Sequence, residues 1–325
     1  MPTTAAPNKT FTNPLNSYEG ADPWIQFYEG NYYLTVTQGD SIRMWKASSI
    51  AGLATAPATL LWKDAEPSRC CNVWAPEFHL LDGPDGKHWY LYYTAGSAGK
   101  SDNQRMHVLE SAGSDPLGPY HYKARIFDPN TDGWAIDASV LTMPDGQLYL
   151  LFSSWSGPNQ NLYIARMSNP WTISGHRALL SSPFYPWERS VGNVNEGPVA
   201  LQHDGKIFII YSASACWGPD YKLGLLSYAG GDPLKTGAWV KHKMPVFERS
   251  DANSVFAPGH NGFFKSPDGS EDWIVYHANG SAKDGCTGTR TTRVQKFSWN
   301  ADGMPNFGVP VPLGQPLQVP SGDGG

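Results

Sequence analysis

A pattern that recurs five times along the chain constrains its fold more than any other feature of the sequence. Each copy opens with a polar residue, and the openers are 55, 60, 59 and 64 residues apart: Asp22, Glu77, Asp137, Glu196 and His260. An acidic residue and a glycine follow each opener after seven or eight residues (Glu29-Gly30, Asp85-Gly86, Asp145-Gly146, Asp204-Gly205 and Asp268-Gly269). Such pairs tolerate the positive φ of tight turns, so each copy predicts two strands joined by a hairpin.

A third strand-like segment follows each hairpin: SIRMWKASS, RMHVLESAG, NLYIARMSN, KLGLLSYAG and RTTRVQKFSW. Five such units predict an all-β, five-bladed β-propeller with about four antiparallel strands per blade, because each unit buries its faces only by stacking on its neighbours. We divide the chain into an N-terminal extension (1–16), a single propeller domain (17–318) and a disordered tail (319–325). The pattern leaves open which terminus supplies the last strand of the closing blade.

Composition agrees with this fold and excludes several classes of partner. The 325 residues include 13 Trp, 16 Tyr, 13 Phe, 34 Gly and 27 Pro, as expected of many short strands joined by turns. A net charge of -5 without a Lys/Arg cluster argues against nucleic acid, and no apolar run is long enough to span a membrane. We expect a monomer.

The five openers are candidates for a functional site. The innermost strand of each propeller blade lies beside the central channel, so equivalent positions in the five repeats meet around one end of it. Neighbouring carboxylates raise one another's pKa, and a ring of them indicates a site for a substrate or a cation. The residue types suit glycoside hydrolysis, in which one carboxylic acid protonates the leaving oxygen and a second carboxylate activates water or attacks the sugar. Spacing alone does not assign these roles.

The opener motifs GADPW, VWAPE, AIDAS, VNEGPV and APGHNG, with the late segment RTTRVQKFSWNADGMPNFGVP, resemble glycoside hydrolase family 43 over residues 12 to 315. Within the family the chain is most similar to exo-acting α-L-arabinofuranosidases that trim α-1,5-linked arabinan. The resemblance implies an inverting reaction with Asp22 as general base, Glu196 as general acid and Asp137 as modulator of the acid's pKa. The alternatives are a β-xylosidase or endo-α-1,5-arabinanase of the same fold, and a propeller that binds carbohydrate without cleaving it.

Further site residues are predicted around this ring. His260 resembles a family histidine near a cation on the channel axis, often calcium, which would aid structure; the chemistry itself requires no cofactor. Strand alternation favours Arg290 over Arg293 as the arginine that reaches the substrate. Trp74, Trp155 and Asn195 are also predicted to bind substrate, whereas Glu77 is interpreted as a hydrogen-bonded carboxylate at a strand start.

The four cysteines lack the CxxC spacing of a zinc site. The adjacent Cys70 and Cys71 are consistent with either a vicinal disulfide or two free thiols, and Cys216 and Cys286 are predicted to join two blades. Sequons at Asn8 and Asn279 are compatible with secretion, although the start MPTTAAPNKT lacks the apolar segment of a signal peptide. We expect a secreted protein, mainly because of the implied function.

Overall fold

A computed structural model describes residues 9–16 and 19–324. Almost all of the regular structure in these residues is β-strand, and the helices described are three short 3₁₀ turns at Ala51–Ala54, Pro186–Arg189 and Thr236–Ala238. The sequon residue Asn8 and the final residue Gly325 lie outside the described residues.

Five antiparallel sheets follow one another in chain order and form the blades. Blade one contains β2 (Trp24–Tyr28), β3 (Asn31–Thr35), β4 (Ile42–Ala47) and β5 (Ala58–Trp62), and blade two contains β6 (Cys71–Gly83), β7 (Gly86–Gly96), β8 (Arg105–Ser111) and β9 (Tyr120–Ile126). Blade three contains β10 (Ile136–Thr142), β11 (Leu148–Ser156), β12 (Asn159–Asn169), β13 (Thr172–Ile173) and β14 (Ala178–Ser181). Blade four contains β15 (Asn195–His203), β16 (Lys206–Ala213), β17 (Lys222–Tyr228) and β18 (Trp239–Lys241), and blade five contains β19 (Phe256–Lys265), β20 (Asp272–Asn279), β21 (Thr291–Trp299) and β22 (Pro305–Asn306). The predicted five-bladed propeller is confirmed.

The predicted hairpin turns lie between the first and second strands of the blades. In blade one, Glu29 and Gly30 have φ values of 46° and 77°, and in blade four Asp204 and Gly205 have values of 46° and 75°. Two successive positive φ angles match the right-handed twist of the flanking strands, as expected of two-residue hairpins.

The hydrophobic core is divided among the five interfaces between blades. Between blades two and three, for example, Tyr92 and Val108 pack in one cluster with Val140 and Phe152. Equivalent clusters join blades one and two, three and four, four and five, and five and one. Each blade is therefore stabilised mainly by its neighbours, and the ring holds its central openers in a fixed arrangement.

Both termini take part in closing the ring. The Asn13 side-chain amide exchanges hydrogen bonds of 2.9 and 3.0 Å with the backbone of Val294, and the Leu15 N–H donates to the Thr292 carbonyl at 2.9 Å, so the N-terminal segment lies along β21 of blade five. Strand β1 (Thr10–Thr12) also pairs antiparallel with β23 (Pro316–Gln318). The described part of the proposed N-terminal extension thus belongs to the closure of the propeller.

The C-terminal segment after β23 packs on the propeller. The Ser321 N–H donates to Glu271 at 3.0 Å, and the Ile50 N–H donates to the Asp323 carboxylate at 2.8 Å. The sequence predicted a disordered tail over 319–325, whereas residues 319–324 pack on the propeller. The reason is that polar groups of the tail form hydrogen bonds with blades one and five.

Candidate active site

Three of the five openers have an uncommon backbone conformation. Asp22, Asp137 and His260 have φ values of 53°, 59° and 48°. The pairing of β10, β15 and β19 with their partners also shifts register at Asp137, Glu196 and His260. Bulges of this kind re-aim side chains at functional sites, and left-handed non-glycine residues cost roughly 1 to 3 kcal/mol each. The innermost strands therefore bend where the chemistry-bearing residues lie.

A cavity of about 600 Å³ brings four openers together at the channel mouth: Asp22, Asp137, Glu196 and His260. The fifth, Glu77, does not line this cavity; its carboxylate lies 3.1 Å from His79 Nε2 within blade two. The interpretation of Glu77 as a carboxylate engaged within its own strand agrees with this contact.

Among the predicted substrate-binding residues, Trp74, Trp155 and Arg290 line the cavity. Asn195 does not, and its prediction is wrong. The Asn195 side chain is fully buried on the other side of β15, where its amide donates to Glu188 at 3.0 Å and accepts a hydrogen bond from Ser181. Adjacent residues of a strand point to opposite faces, so Asn195 faces away from the channel that Glu196 faces.

Asp22 is surrounded by positively charged groups and hydrogen-bond donors. Its Oδ1 lies 3.3 Å from His260 Nδ1 and 3.4 Å from Arg290 Nη1, and Thr37 Oγ1 donates to its Oδ2 at 2.6 Å. Burial alone would raise the pKa of Asp22, but His260 and Arg290 outweigh it and hold this pKa well below its usual range. Asp22 is therefore ionised at neutral pH.

His277 supports Asp22 from beneath. The backbone N–H of Asp22 donates to His277 Nδ1 at 3.1 Å. Burial lowers the pKa of His277 to about 4, so this imidazole is neutral near pH 7 and remains an acceptor.

Glu196 has one hydrogen-bond donor for each carboxylate oxygen. Tyr221 OH donates to Oε1 at 2.9 Å, and Gln160 Nε2 donates to Oε2 at 2.8 Å. Burial raises the pKa of Glu196 and the Asp22 carboxylate raises it further, although His260 and the two donors act against this shift. Glu196 therefore has a higher pKa than an exposed glutamate, in contrast to Asp22.

Asp137 is the third carboxylate of the cavity. Its Oδ2 accepts a hydrogen bond of 2.9 Å from the backbone N–H of Gly197, the residue after Glu196. Burial, with a contribution from the Glu196 and Asp22 charges, raises the pKa of Asp137 to about 7. The Asp137 and Glu196 carboxyls are thus coupled, and a charge on one favours the protonated form of the other.

His260 is buried among these carboxylates. Burial would lower its pKa, but Asp22, Asp137 and Glu196 together raise it. Among the described residues, no group of three or more His, Cys, Asp or Glu side chains is arranged to hold a metal ion. An ion beside His260 would take its ligands mainly from water. The axial calcium therefore stays a prediction, and the proposed mechanism uses no metal.

Several residues that contact the openers or line the cavity were missed from the sequence, among them Thr37, Gln160, Tyr221, His277 and Trp217. None occupies the repeated opener position, and their contacts cross from one strand or blade to another. Trp217 had one available signal, because it directly follows Cys216 of the predicted cross-blade disulfide.

The structure contains two disulfides, Cys70–Cys71 and Cys216–Cys286, and leaves no free cysteine among the described residues. The predicted link between blades four and five is confirmed. Of the two alternatives for Cys70 and Cys71, the structure has the vicinal disulfide. The Asn279 side chain is only 1% exposed and donates to the Gly285 carbonyl, so this sequon is not accessible in the folded protein.

Comparison with known proteins identifies the class of this site. Residues 11–305 match the profile of the Glycosyl hydrolases family 43. An extracellular exo-α-(1→5)-L-arabinofuranosidase of Streptomyces avermitilis is 42% identical over 94% of the chain, which spans 65% of that relative's length. Another enzyme of the same name, from Streptomyces chartreusis, is 35% identical, with 84% of each protein covered.

Solved structures show the same relationship. The crystal structure of an α-L-arabinofuranosidase from Lactobacillus brevis superposes with a TM-score of 0.86 at 34% sequence identity, covering 94% of this chain and 98% of that one. No helix in the described part of the chain has the length and apolar character needed to cross a membrane. With the family profile covering nearly the whole propeller and its carboxylates gathered in one cavity, this chain belongs to glycoside hydrolase family 43.

Proposed function

We propose that this chain is an inverting, exo-acting α-L-arabinofuranosidase that releases L-arabinofuranose from the ends of α-1,5-linked arabinan and arabino-oligosaccharides. The similarity to relatives named as exo-α-(1→5)-L-arabinofuranosidases supports the substrate. The observation that carries the mechanism is the opposite electrostatic environment of two carboxylates in one cavity, because Asp22 has a lowered pKa and Glu196 a raised one. Such a pair provides a base and an acid at the same pH.

Asp22 acts as the general base. Its ionised carboxylate accepts a proton from a water molecule as that water attacks the anomeric carbon. His260 and Arg290 stabilise the charged form before the reaction, and Thr37 fixes one carboxylate oxygen by its hydrogen bond.

Glu196 acts as the general acid and donates its proton to the glycosidic oxygen as the bond to the leaving sugar breaks. The raised pKa keeps a proton available on this carboxyl group. After the transfer, Tyr221 and Gln160 each donate a hydrogen bond to the new carboxylate. Asp137 modulates the acid through its own charge and orients the backbone beside it through Gly197.

Inversion requires room for a water molecule between the base and the sugar. Inverting glycosidases separate their two carboxyl groups by roughly 6.5 to 9.5 Å, whereas retaining enzymes use about 5 to 5.5 Å. Asp22 enters blade one and Glu196 begins blade four, and these blades are not neighbours in the ring. This placement across the channel favours the wider spacing.

Product analysis tests the proposed substrate. The enzyme should release arabinose as the first product from linear α-1,5-arabinan, with much less release from arabinoxylan and no xylose from xylo-oligosaccharides. Release of xylose would indicate a β-xylosidase. Early appearance of arabino-oligosaccharides of mixed length would indicate an endo-arabinanase. No release from any of these substrates would support a propeller that only binds carbohydrate.

We also propose that the protein works outside the cell. Disulfides form and persist in oxidising compartments, and this chain has two of them. Fractionation of the native source organism, with activity measured in the medium and in the cells, would test this; activity confined to the cells would contradict it.

A further inference from the structure

We propose that Trp217 forms the binding wall for the sugar on the leaving side of the scissile bond, and that the Cys216–Cys286 disulfide holds this wall in place. The inference rests on the proposed function, and it names a contact for the second sugar of the substrate.

The chain path places Trp217 on the acid's side of the cavity. Glu196 on β15 pairs with Ser212 on β16, and β16 leads directly into the loop that carries Trp217. Trp217 and Glu196 both line the cavity. Because the acid protonates the oxygen that joins the two sugars, the leaving sugar lies on the acid's side of the reacting centre.

The loop that carries Trp217 is held in place by a disulfide and by close packing, although the Trp217 side chain itself is exposed. The disulfide ties the preceding residue to the loop after β20 in blade five. A Cβ at Gly192 would lie 2.8 Å from the Trp217 ring, and a Cβ at Gly218 would lie 2.5 Å from Val191, so the loop packs closely against the 191–192 segment. Ser214 and Ala215 adopt φ values of 78° and 61°, a strained conformation that the surrounding contacts maintain.

The Trp217 side chain has unfilled apolar surface. It is 57% exposed although it borders the cavity. A large aromatic ring left in water gains free energy when an apolar surface covers it, and the CH face of a sugar ring provides one. Since the loop is fixed before substrate arrives, little ordering cost opposes this stacking.

Kinetics on two substrates that differ only in the leaving group test the proposal. One substrate is α-1,5-arabinobiose, whose leaving group is a sugar, and the other is α-L-arabinofuranosyl fluoride, whose leaving group is fluoride. Trp217→Ala should lower kcat/KM for arabinobiose about tenfold, as expected for loss of one stacked ring. The same variant should stay within about twofold of wild type on the fluoride, and Trp217→Phe should recover most of the loss.

Two further variants separate the proposal from general damage. Phe184→Ala removes another exposed aromatic side chain, 72% exposed and outside the cavity, and should match wild type on both substrates. The double variant Cys216→Ser/Cys286→Ser keeps the indole but frees its loop. Because both cysteines also border the cavity, the variant should raise KM for arabinobiose by a larger factor than KM for the fluoride.

The kinetic results distinguish failure of the Trp217 role from failure of the proposed function. Equal losses on both substrates, or no loss on arabinobiose, would overturn the role of Trp217 while leaving the proposed function intact. A wild-type enzyme that released arabinose from neither substrate would overturn the proposed function and this inference together.

Discussion

Tyr221 OH donates a hydrogen bond of 2.9 Å to Glu196 Oε1, and this contact joins the candidate acid to a fully buried phenol on the residue immediately before β17. The Tyr221 ring also stacks parallel to His277, whose Nδ1 accepts from the Asp22 N–H. The side chain that donates to the acid and the side chain that accepts from the backbone of the base are thus in contact with each other.

Tyr221→Phe should shift the alkaline limb of the pH profile of kcat/KM upward by about one unit. The phenol stabilises the charged form of Glu196, so its loss raises the pKa of the acid, which then keeps its proton to higher pH. Tyr120→Phe is the matched control, because Tyr120 OH donates to Pro116 away from the cavity. A uniform loss of activity with an unchanged profile would contradict this role.

Glu196→Gln should lower kcat on arabino-oligosaccharides by about 10² to 10⁴-fold. Substrates with an activated leaving group need little protonation and should lose much less. Asp22→Asn should be inactive on both kinds of substrate, because hydrolysis of either one needs the water molecule that the base activates. Equal losses for Glu196→Gln on both kinds would remove Glu196 from the role of acid.

Arg290→Met should move the acidic limb of the same profile to higher pH. Arg290 lies 3.4 Å from Asp22, and its positive charge helps to keep the pKa of this carboxylate low. Without that charge Asp22 binds a proton at higher pH and ceases to act as a base there. Arg166→Met in blade three is the control, since the Arg166 side chain donates to Gln147 and does not line the cavity. An unshifted acidic limb would show that Arg290 does not influence the base.

Chelation tests the calcium predicted from the family resemblance. An ion bound only by the native protein stabilises it by mass action, so exhaustive chelation should lower the melting temperature and added calcium should restore it. The rate at saturating substrate should change little, because no proposed step uses a metal. A melting temperature that chelation leaves unchanged would contradict the calcium prediction.

The repeated part of the molecule could be read from the sequence, and the contacts between repeats could not. Asp22, Asp137 and Glu196 were identifiable because the opener recurs at one place in every blade, and the hairpin turns fixed the register of the strands. Strand alternation favoured Arg290 over Arg293, and in the structure Arg290 lines the cavity whereas Arg293 is fully buried. The same rule, applied to Asn195, would have placed it on the face opposite Glu196.

Residues at non-equivalent positions carried no such signal. Gln160 reaches Glu196 from blade three, and Trp217 follows Cys216, which is disulfide-bonded to Cys286 of blade five. These contacts depend on how the blades are set beside one another, which a sequence pattern within one blade does not specify.

The anomeric configuration of the first-formed sugar tests the central claim most directly. If Asp22 activates water across the channel from Glu196, attack occurs on the face opposite the leaving sugar, and an α-linked arabinoside gives β-L-arabinofuranose first. Proton NMR at high enzyme concentration, recorded before mutarotation, should show the β-anomer as the initial product. Initial appearance of the α-anomer, or a covalent glycosyl adduct on Asp22, would contradict the inverting mechanism and the role given to water.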